Sequence, residues 1–478
     1  MNKLPPNWEV TTLSQIAKVE WGNTSITKKA YVKDGYIAFS ASGNDGYLSH
    51  FEWKGRAIIL SAIGARCGRC FLADGKWTAI KNTIVIKPYS DDIEIKFLFH
   101  FLNNDQRWSI GGSGQPFLTL GSARDVYIPI PPKNEQHRIV AKLEKLLAKV
   151  DQAQTRLEKI PGILKQFRQK ILTLAFTGEL SRDYRENKIS NQDIGTIISS
   201  IKASRLESST TKKQKESIAR IYSYQEKKAS PSLPESWKYV ALDKLCASFE
   251  YGSSKKSSPS GDVPVLRMGN IQYGEIDWSD LVYTSNKEEV EKYRLKPGTV
   301  LFNRTNSPEL VGKVGIYRGE RPAIFAGYLI RINNCEMLDS EYLNYWLNSS
   351  FARQLCREVK TDGVSQSNIN AQKLSKFEIP FCAPEEQSLI VGRIKNYFKL
   401  AEQLENRYQK AKTHIDHLTQ SILAKAFRGE LVPQDPNDEP ASELLKRIKA
   451  EKARQEAESK PNRKPGTKKG RANKKAAV

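Results

Sequence analysis

Cysteine is scarce, with 6 residues scattered through 478. That excludes a disulfide framework and leads us to expect reduced thiols in a cytoplasm. No run of about eighteen apolar residues occurs, so no helix of ordinary spanning length is expected. No secretory apolar stretch follows Met1-Asn2-Lys3. Acidic residues are also in deficit: 53 Asp and Glu stand against 76 Lys and Arg, a net charge of +23. The last twenty residues, from Ser459, carry eight bases and no acid, and the rest of the chain is still strongly basic. An excess of this size points to a polyanion, most simply nucleic acid.

Catalytic motifs are lacking as well. Gly75-Lys76 and Gly312-Lys313 miss the upstream glycine and the hydroxyl of a Walker A phosphate loop. Gly111-Gly112-Ser113-Gly114 enters no strand-turn-helix dinucleotide unit. Cys67-Gly68-Arg69-Cys70 has the spacing of half a zinc site, but no second pair follows. His414 and His417 flank no carboxylate motif. Asp74 followed by Glu94-Ile95-Lys96 can be aligned with a metal-dependent nuclease pattern, yet the second half of the chain has no counterpart. A chain without catalytic residues, metal or bound cofactor is expected.

What the chain has is a duplication. Residues 129–180 return as 380–431 at a constant displacement of 251. Ile128-Pro129 becomes Ile379-Pro380, Glu135-Gln136 becomes Glu386-Gln387, and Gly178-Glu179-Leu180 becomes Gly429-Glu430-Leu431. The openings repeat too, Leu4-Pro5-Pro6-Asn7-Trp8 as Leu233-Pro234-Glu235-Ser236-Trp237, at a displacement of 229. The second globular part is therefore 22 residues longer, while the repeated stretch keeps its length.

That stretch is periodic. Ile139, Leu143, Leu146, Val150, Ala153, Leu157, Ile160, Leu164, Phe167, Ile171 and Leu174 step by four and three. Ile390, Ile394, Tyr397, Ala401, Leu404, Tyr408, Ala411, Ile415, Leu418 and Ile422 follow in the same phase. Heptads of this kind predict two long helices sharing a coiled-coil seam, with Ile139, Leu143, Leu146, Val150, Leu157, Ile390, Ile394, Leu404, Ile415 and Leu418 as contacts. Pro161 should kink or restart the first copy, and the second should run straighter.

In the globular parts, Arg56–Ser61, Asn82–Lys87, 298–302 and 327–332 read as strands, and 95–102 and 341–347 as helices. Mixed elements in this order predict an α/β or α+β domain in each half. The candidate DNA contacts are Lys28, Lys29, Arg66, Arg69, Lys76, Lys81 and Gln115 in the first, and Lys255, Lys256, Arg267, Asn270, Arg304, Asn306, Lys313 and Gln366 in the second. Arginine suits guanine, amides suit adenine, and lysine suits phosphate.

The openings, the Ile-Pro and Glu-Gln boundaries, and the stretch from Gln420 through Ala426-Phe427-Arg428-Gly429-Glu430-Leu431 to Pro436 resemble the specificity (S) subunit of type I restriction-modification systems. Val265 to Ile271 and Leu301 to Asn306 resemble common motifs of its target recognition domains. The resemblance implies target recognition domain 1 over 1–132, a central helical region over 133–180 and a polar linker with a short helix over 181–232. Target recognition domain 2 follows over 233–383, a distal helical region over 384–431, and a C-terminal helix with a basic disordered tail over 432–478. It further implies that each recognition domain reads half of a bipartite, gapped DNA site, and that the antiparallel helices set the gap with pseudo-twofold geometry. Two modification (methyltransferase) subunits would dock on the helices, and restriction (translocase/nuclease) subunits would join. S-adenosylmethionine, ATP and Mg would be bound by those partners, in the cytoplasm. A self-sufficient nuclease and a coiled-coil scaffold are the alternatives.

Overall fold

The computed structural model describes residues 4–112, 114–187, 193–224, 231–364 and 366–458. It divides into two compact units, Met1–Leu157 with Lys410–Val478, and Glu158–Gln409. Each unit therefore pairs its globular domain with helix from both copies of the repeated stretch.

The first unit is built around the strand Ala57–Ser61, buried along its whole length. It pairs antiparallel with Thr83–Pro88 and with Cys70–Ala73, and Ala17–Trp21 completes a four-stranded sheet. Alternate side chains leave a strand on opposite faces. Ile58 and Leu60 meet Phe97, Leu98 and Phe101 of the helix Ile95–Leu102, in one core. Ile59 on the other face joins Trp77 and Phe39 of a second sheet. Two covered faces explain why the strand is apolar without interruption. The second sheet runs Gly43–Leu48, Tyr36–Ser40, Lys76–Ala79, Trp53–Lys54, and its middle pair is parallel.

The second unit repeats the design. Its central strand Thr299–Asn303 is also fully buried, within the order Cys246–Tyr251, Leu329–Asn334, Thr299–Asn303, Val314–Tyr317. Val300 and Phe302 face Tyr342 and Trp346 of the helix Ser340–Leu347. Leu301 faces Leu266 and Phe325. Sheets that are mainly antiparallel, with helices gathered on one side, make each domain α+β. One of the extra residues of the second domain is a β-bulge between Cys246 and Ser248.

The helix Lys133–Leu157 ends before a new one, Ile160–Phe176, which carries Pro161 in its first turn. Proline has no N–H to lose at that position, so the helix restarts there. The second copy is a single helix, Pro384–Phe427, of 44 residues. In the second unit Arg168 pairs with Glu405 at 2.9 Å, and Arg185 with Glu386 at 2.7 Å. Partner numbers fall as the chain advances, so these segments run antiparallel.

The heptad positions are covered unevenly along the helices. Ile139, Leu143, Val150, Ile390 and Ile394 are buried, while Leu146, Leu157 and Ile415 are half-buried. Leu404 is 42% exposed and Leu418 41%. No residue from 402 to 421 is buried. The ends of the long helix are seated in the domain cores (Ile390, Val391 and Ile394 at one, Ile422, Ala426 and Phe427 at the other). A helix of 3.6 residues per turn also drifts away from a 3.5-residue repeat unless it supercoils.

The stretch 181–232, expected as a linker, holds the helices Arg182–Asn187, Ile194–Glu207 and Lys212–Ser223. Ile194, Ile197 and Ile201 enter the core of the second unit. Arg205 donates to the carbonyl of Asp243 at 2.6 Å. The C-terminal helix Ala441–Glu458 does the same in the first unit. Ala441, Leu444 and Ile448 enter that core, and Lys452 donates to the carbonyl of Ser14 at 3.0 Å. The two helices are copies of each other. The duplication thus runs past Leu431, and Ile201-Lys202-Ala203 returning as Ile448-Lys449-Ala450 is its trace in the sequence. The expected basic tail, 459–478, lies outside the described residues. Among the described residues no helix is long and apolar enough to cross a membrane.

Candidate nucleic-acid interface

In both domains one end of the central sheet is built from the same backbone rungs. The N–H of Gly68 donates to the carbonyl of Ser61, and that of Ser61 to Arg69, at 2.9 and 2.8 Å. Gly312, Asn303 and Lys313 repeat this at 2.8 Å twice. Ala62 donates to Asn82 and accepts from Leu118; Arg304 donates to Tyr328 and accepts from Ile369. Arg69 and Lys313 therefore occupy equivalent positions, as do Ala62 and Arg304.

Further loops converge on this end. Ile63 and Gly111 both bridge to Phe117, so the loop bearing Gln115 lies beside the loop bearing Arg66 and Arg69. In the second domain Asn306 pairs with Ser367, which brings Gln366 alongside. Lys81 donates its N–H to Ile26, just before Lys28 and Lys29. Ser25 and Lys255 make the same turn onto Asn23 and Ser253, which places Lys255 and Lys256 at this end too.

Five expected contacts are engaged within the protein itself. Asn270 is 2% exposed; its amide donates to the carbonyls of Asp277 and Asp280 and accepts from the N–H of Arg267. With both its ends used, it shapes a turn and has no edge for a base. Lys76 begins its strand at the opposite end of the sheet, over the ring of Phe51 at 4.9 Å. Lys28 is held by Asp45 at 2.5 Å, and Arg267 by Asp280 at 3.1 Å. Partial burial pushes the Asp45 carboxyl up, but the bonds from Lys28, Ser40 and Tyr31 together outweigh it and hold it below its usual range. Lys255 faces Glu289 at 3.6 Å.

The others keep their charge free. Among the described residues Lys29, Arg66, Arg69, Lys81, Lys256, Arg304 and Lys313 have no carboxylate partner, whereas Arg318, Arg331, Lys376 and Arg393 elsewhere in the second unit all do. Arg66 donates only to the carbonyl of Ser42, at 2.6 Å. Lys313 donates to the side-chain carbonyl of Gln272 at 3.0 Å. Burial, then the nearby Arg353 guanidinium, pulls the Lys313 ammonium below the usual lysine range. Arg353, on the helix Ser350–Val359, is itself lowered by burial and donates to Val311 at 3.3 Å. Like charges gathered without acids make a site for an anion.

Exposed aromatics stand among these cations. Trp21 is 37% exposed, Tyr251 42%, Phe117 43% and Tyr328 53%. Arg353 and these rings were not among the residues expected from the sequence. A signal was present in Trp21-Gly22 and Tyr251-Gly252: a Cβ at either glycine would overlap the carbonyl oxygens of the neighbouring strand turn. The repeated glycine lets the chain cross that turn closely with a ring beside it.

The residues of the nuclease pattern are engaged elsewhere. Glu94 caps its helix through the N–H of Lys96 and faces His137 at 3.1 Å. Asp74 lies in a hairpin turn beside Arg56. Cys67 and Cys70 are buried free thiols, and His414 and His417 are exposed. Among the described residues no cluster of three or more His, Cys, Asp or Glu could hold a metal.

The chain is similar to known proteins in sequence and in fold. The EcoDI specificity subunit of Escherichia coli, from a type I restriction enzyme, is 27% identical over 94% of this chain and 96% of its own. The EcoBI specificity subunit of the same species is 28% identical over 92% and 86%. Among solved structures, a chain of a type I R-M system covers 90% of this chain and 100% of its own, at 18% identity and TM-score 0.63. The HsdS subunit of Thermoanaerobacter tengcongensis covers 90% and 98%, at 19% identity and TM-score 0.52. These structures share the fold. The family model for the type I restriction modification DNA specificity domain matches twice, over residues 5–161 and 234–412, so the chain belongs to that family as a tandem pair of its domains.

Proposed function

We propose that this chain is the DNA-reading subunit of a type I restriction-modification complex, and that each domain reads one half of a bipartite, gapped site with its loop-bearing sheet end. The observation that carries this is the matched gathering of acid-free cations and exposed rings at equivalent strand ends of two otherwise divergent domains. Exposed cations suit phosphate, and amide and guanidinium edges suit bases. The helices hold the two readers in phase and set the gap between half-sites. Their exposed apolar positions offer a seat to two modification subunits, and restriction subunits complete the complex. Methylation with S-adenosylmethionine, and ATP- and Mg-dependent cleavage, belong to those partners in this reading.

The test is a domain exchange. Residues 9–128 are replaced by the matching part of another family member, the chain is expressed with its modification subunits, and methylated adenines are mapped across the host genome. One half-site should change while the other and the gap persist. An unaltered methylated sequence would sink the proposal. Purified chain with Mg²⁺ and DNA but no partner subunits should not cleave; cleavage would favour the nuclease reading.

A further inference from the structure

Arg304 is where the two sheet ends differ most in chemistry at one backbone position. Its N–H and carbonyl are held at 3.0 and 2.9 Å by Tyr328 and Ile369, so the main chain is pinned from both sides. Ala62 fills the same place in the first domain. The Arg304 guanidinium lies over the Tyr251 ring, 4.7 Å from its centroid. Its Nε is closed off from solvent and has no hydrogen-bond partner. Stacking leaves the fork of guanidinium donors free, and a flat, half-exposed fork is matched bidentately by few surfaces.

The amide of Asn303 just before it is buried and likewise lacks an acceptor. Buried donors without acceptors are uncommon in native proteins and call for a reason. The carbonyl of Lys313 accepts from the N–H of Asn303 at 2.8 Å, and Arg353 donates to the carbonyl of Val311, two residues before Lys313, at 3.3 Å.

We propose that Arg304, positioned by Tyr251, is a specificity determinant of the second domain for a guanine, donating to O6 and N7 in the major groove while Lys313 and Arg353 hold a nearby phosphate. Arginine donates bidentately to that base and to no other in this groove. The assignment rests on the DNA-reading function and names one contact within it. The first domain, with Ala62 at this position, lacks this contact.

The experiment maps methylated sites for the full complex carrying Arg304→Ala, Arg304→Gln or Tyr251→Leu. With Arg304→Ala, one guanine position of one half-site should relax about 5- to 150-fold, the range of a bidentate contact, and the other half-site should hold. Arg304→Gln should shift preference at that position toward adenine. Tyr251→Leu should relax the same position less. An unchanged motif, or a loss spread evenly over all sequences as a phosphate contact would give, overturns the assignment. If Arg304→Ala abolishes methylation, Arg304→Gln decides: retention of guanine overturns it. A native complex that methylates no bipartite motif would refute the wider reading, and is distinguishable from these outcomes.

Discussion

The indole Nε1 of Trp8 donates to Oε2 of Glu135 at 3.0 Å, across 127 positions of chain. Trp237 and Glu386 repeat the bond at 2.9 Å. Both carboxylates are nearly closed off, at 1% and 4% exposure. Trp8→Phe keeps one aromatic ring in the core, gives up the second ring of the indole and removes the donor. Leaving a buried acceptor short costs about 1–3 kcal/mol, so thermal unfolding should fall for Trp8→Phe and again for Trp237→Phe. A Tm within error of the native protein would show that the bond carries no stability.

Two glycines close the repeat units against the domain openings. Gly178 has φ +80 with Pro234 Cγ 2.5 Å from where a Cβ would sit. Gly429 has φ +76, with Pro5 and Trp8 in the same relation. A proline ring cannot swing aside. Gly178→Ala and Gly429→Ala should each cost about 1–3 kcal/mol from strain alone, read as a lowered midpoint in urea. An unshifted midpoint for both would mean that the closure is loose.

The buried strands Ala57–Ser61 and Thr83–Pro88 and the helix Ile95–Leu102 were legible in the sequence because a two-sided buried strand is apolar without interruption and an amphipathic helix leaves a periodic trace, whereas the order of strands in the sheets was not. The restart at Pro161 was legible because proline acts on its own turn. The fate of Leu404 and Leu418 was not: heptad spacing says which residues share a face, and not whether anything covers it. The packing of Ile194–Glu207 was hidden by its polar surroundings, since three isoleucines are enough to dock a helix. Of the candidate contacts, the loop positions were found by their charge. Which charges are already neutralised, as Lys28 by Asp45 and Arg267 by Asp280, depends on pairings across 17 and 13 positions that spacing does not reveal.

Asp438 gives a pH dependence with a defined sign. Its carboxylate, 4% exposed, pairs with Arg138 at 2.5 Å and is held below the usual aspartate range chiefly by that bond. A depressed folded-state pKa contributes stability that is fully present above the unfolded aspartate value of about 4 and is lost as pH falls below it. Asp438→Asn should therefore lower stability at neutral pH by about 2 kcal/mol and flatten the loss on acidification. Denaturant melts at pH 7 and in the acid range compare the two. A variant that loses stability on acidification as steeply as the native chain would remove Asp438 from the account.

The span 402–421, where no residue is buried, is where the long helix should tolerate a change of length. Seven added residues lengthen a helix by about 10.5 Å and turn it by only ~20° from its former face. Both helix ends would keep their seats in the domain cores, since Ile394 and Ile422 lie outside the inserted stretch. A matched heptad is placed after Leu157, where the first copy already restarts. If the helices set the gap, it should grow by about three base pairs at ~3.4 Å each, with both half-sites unchanged in the methylation map. A four-residue insertion turns the helix end by more than a full turn and leaves it about 40° off; it should weaken methylation at every site. A heptad variant that keeps the original gap would show that something other than helix length sets the distance.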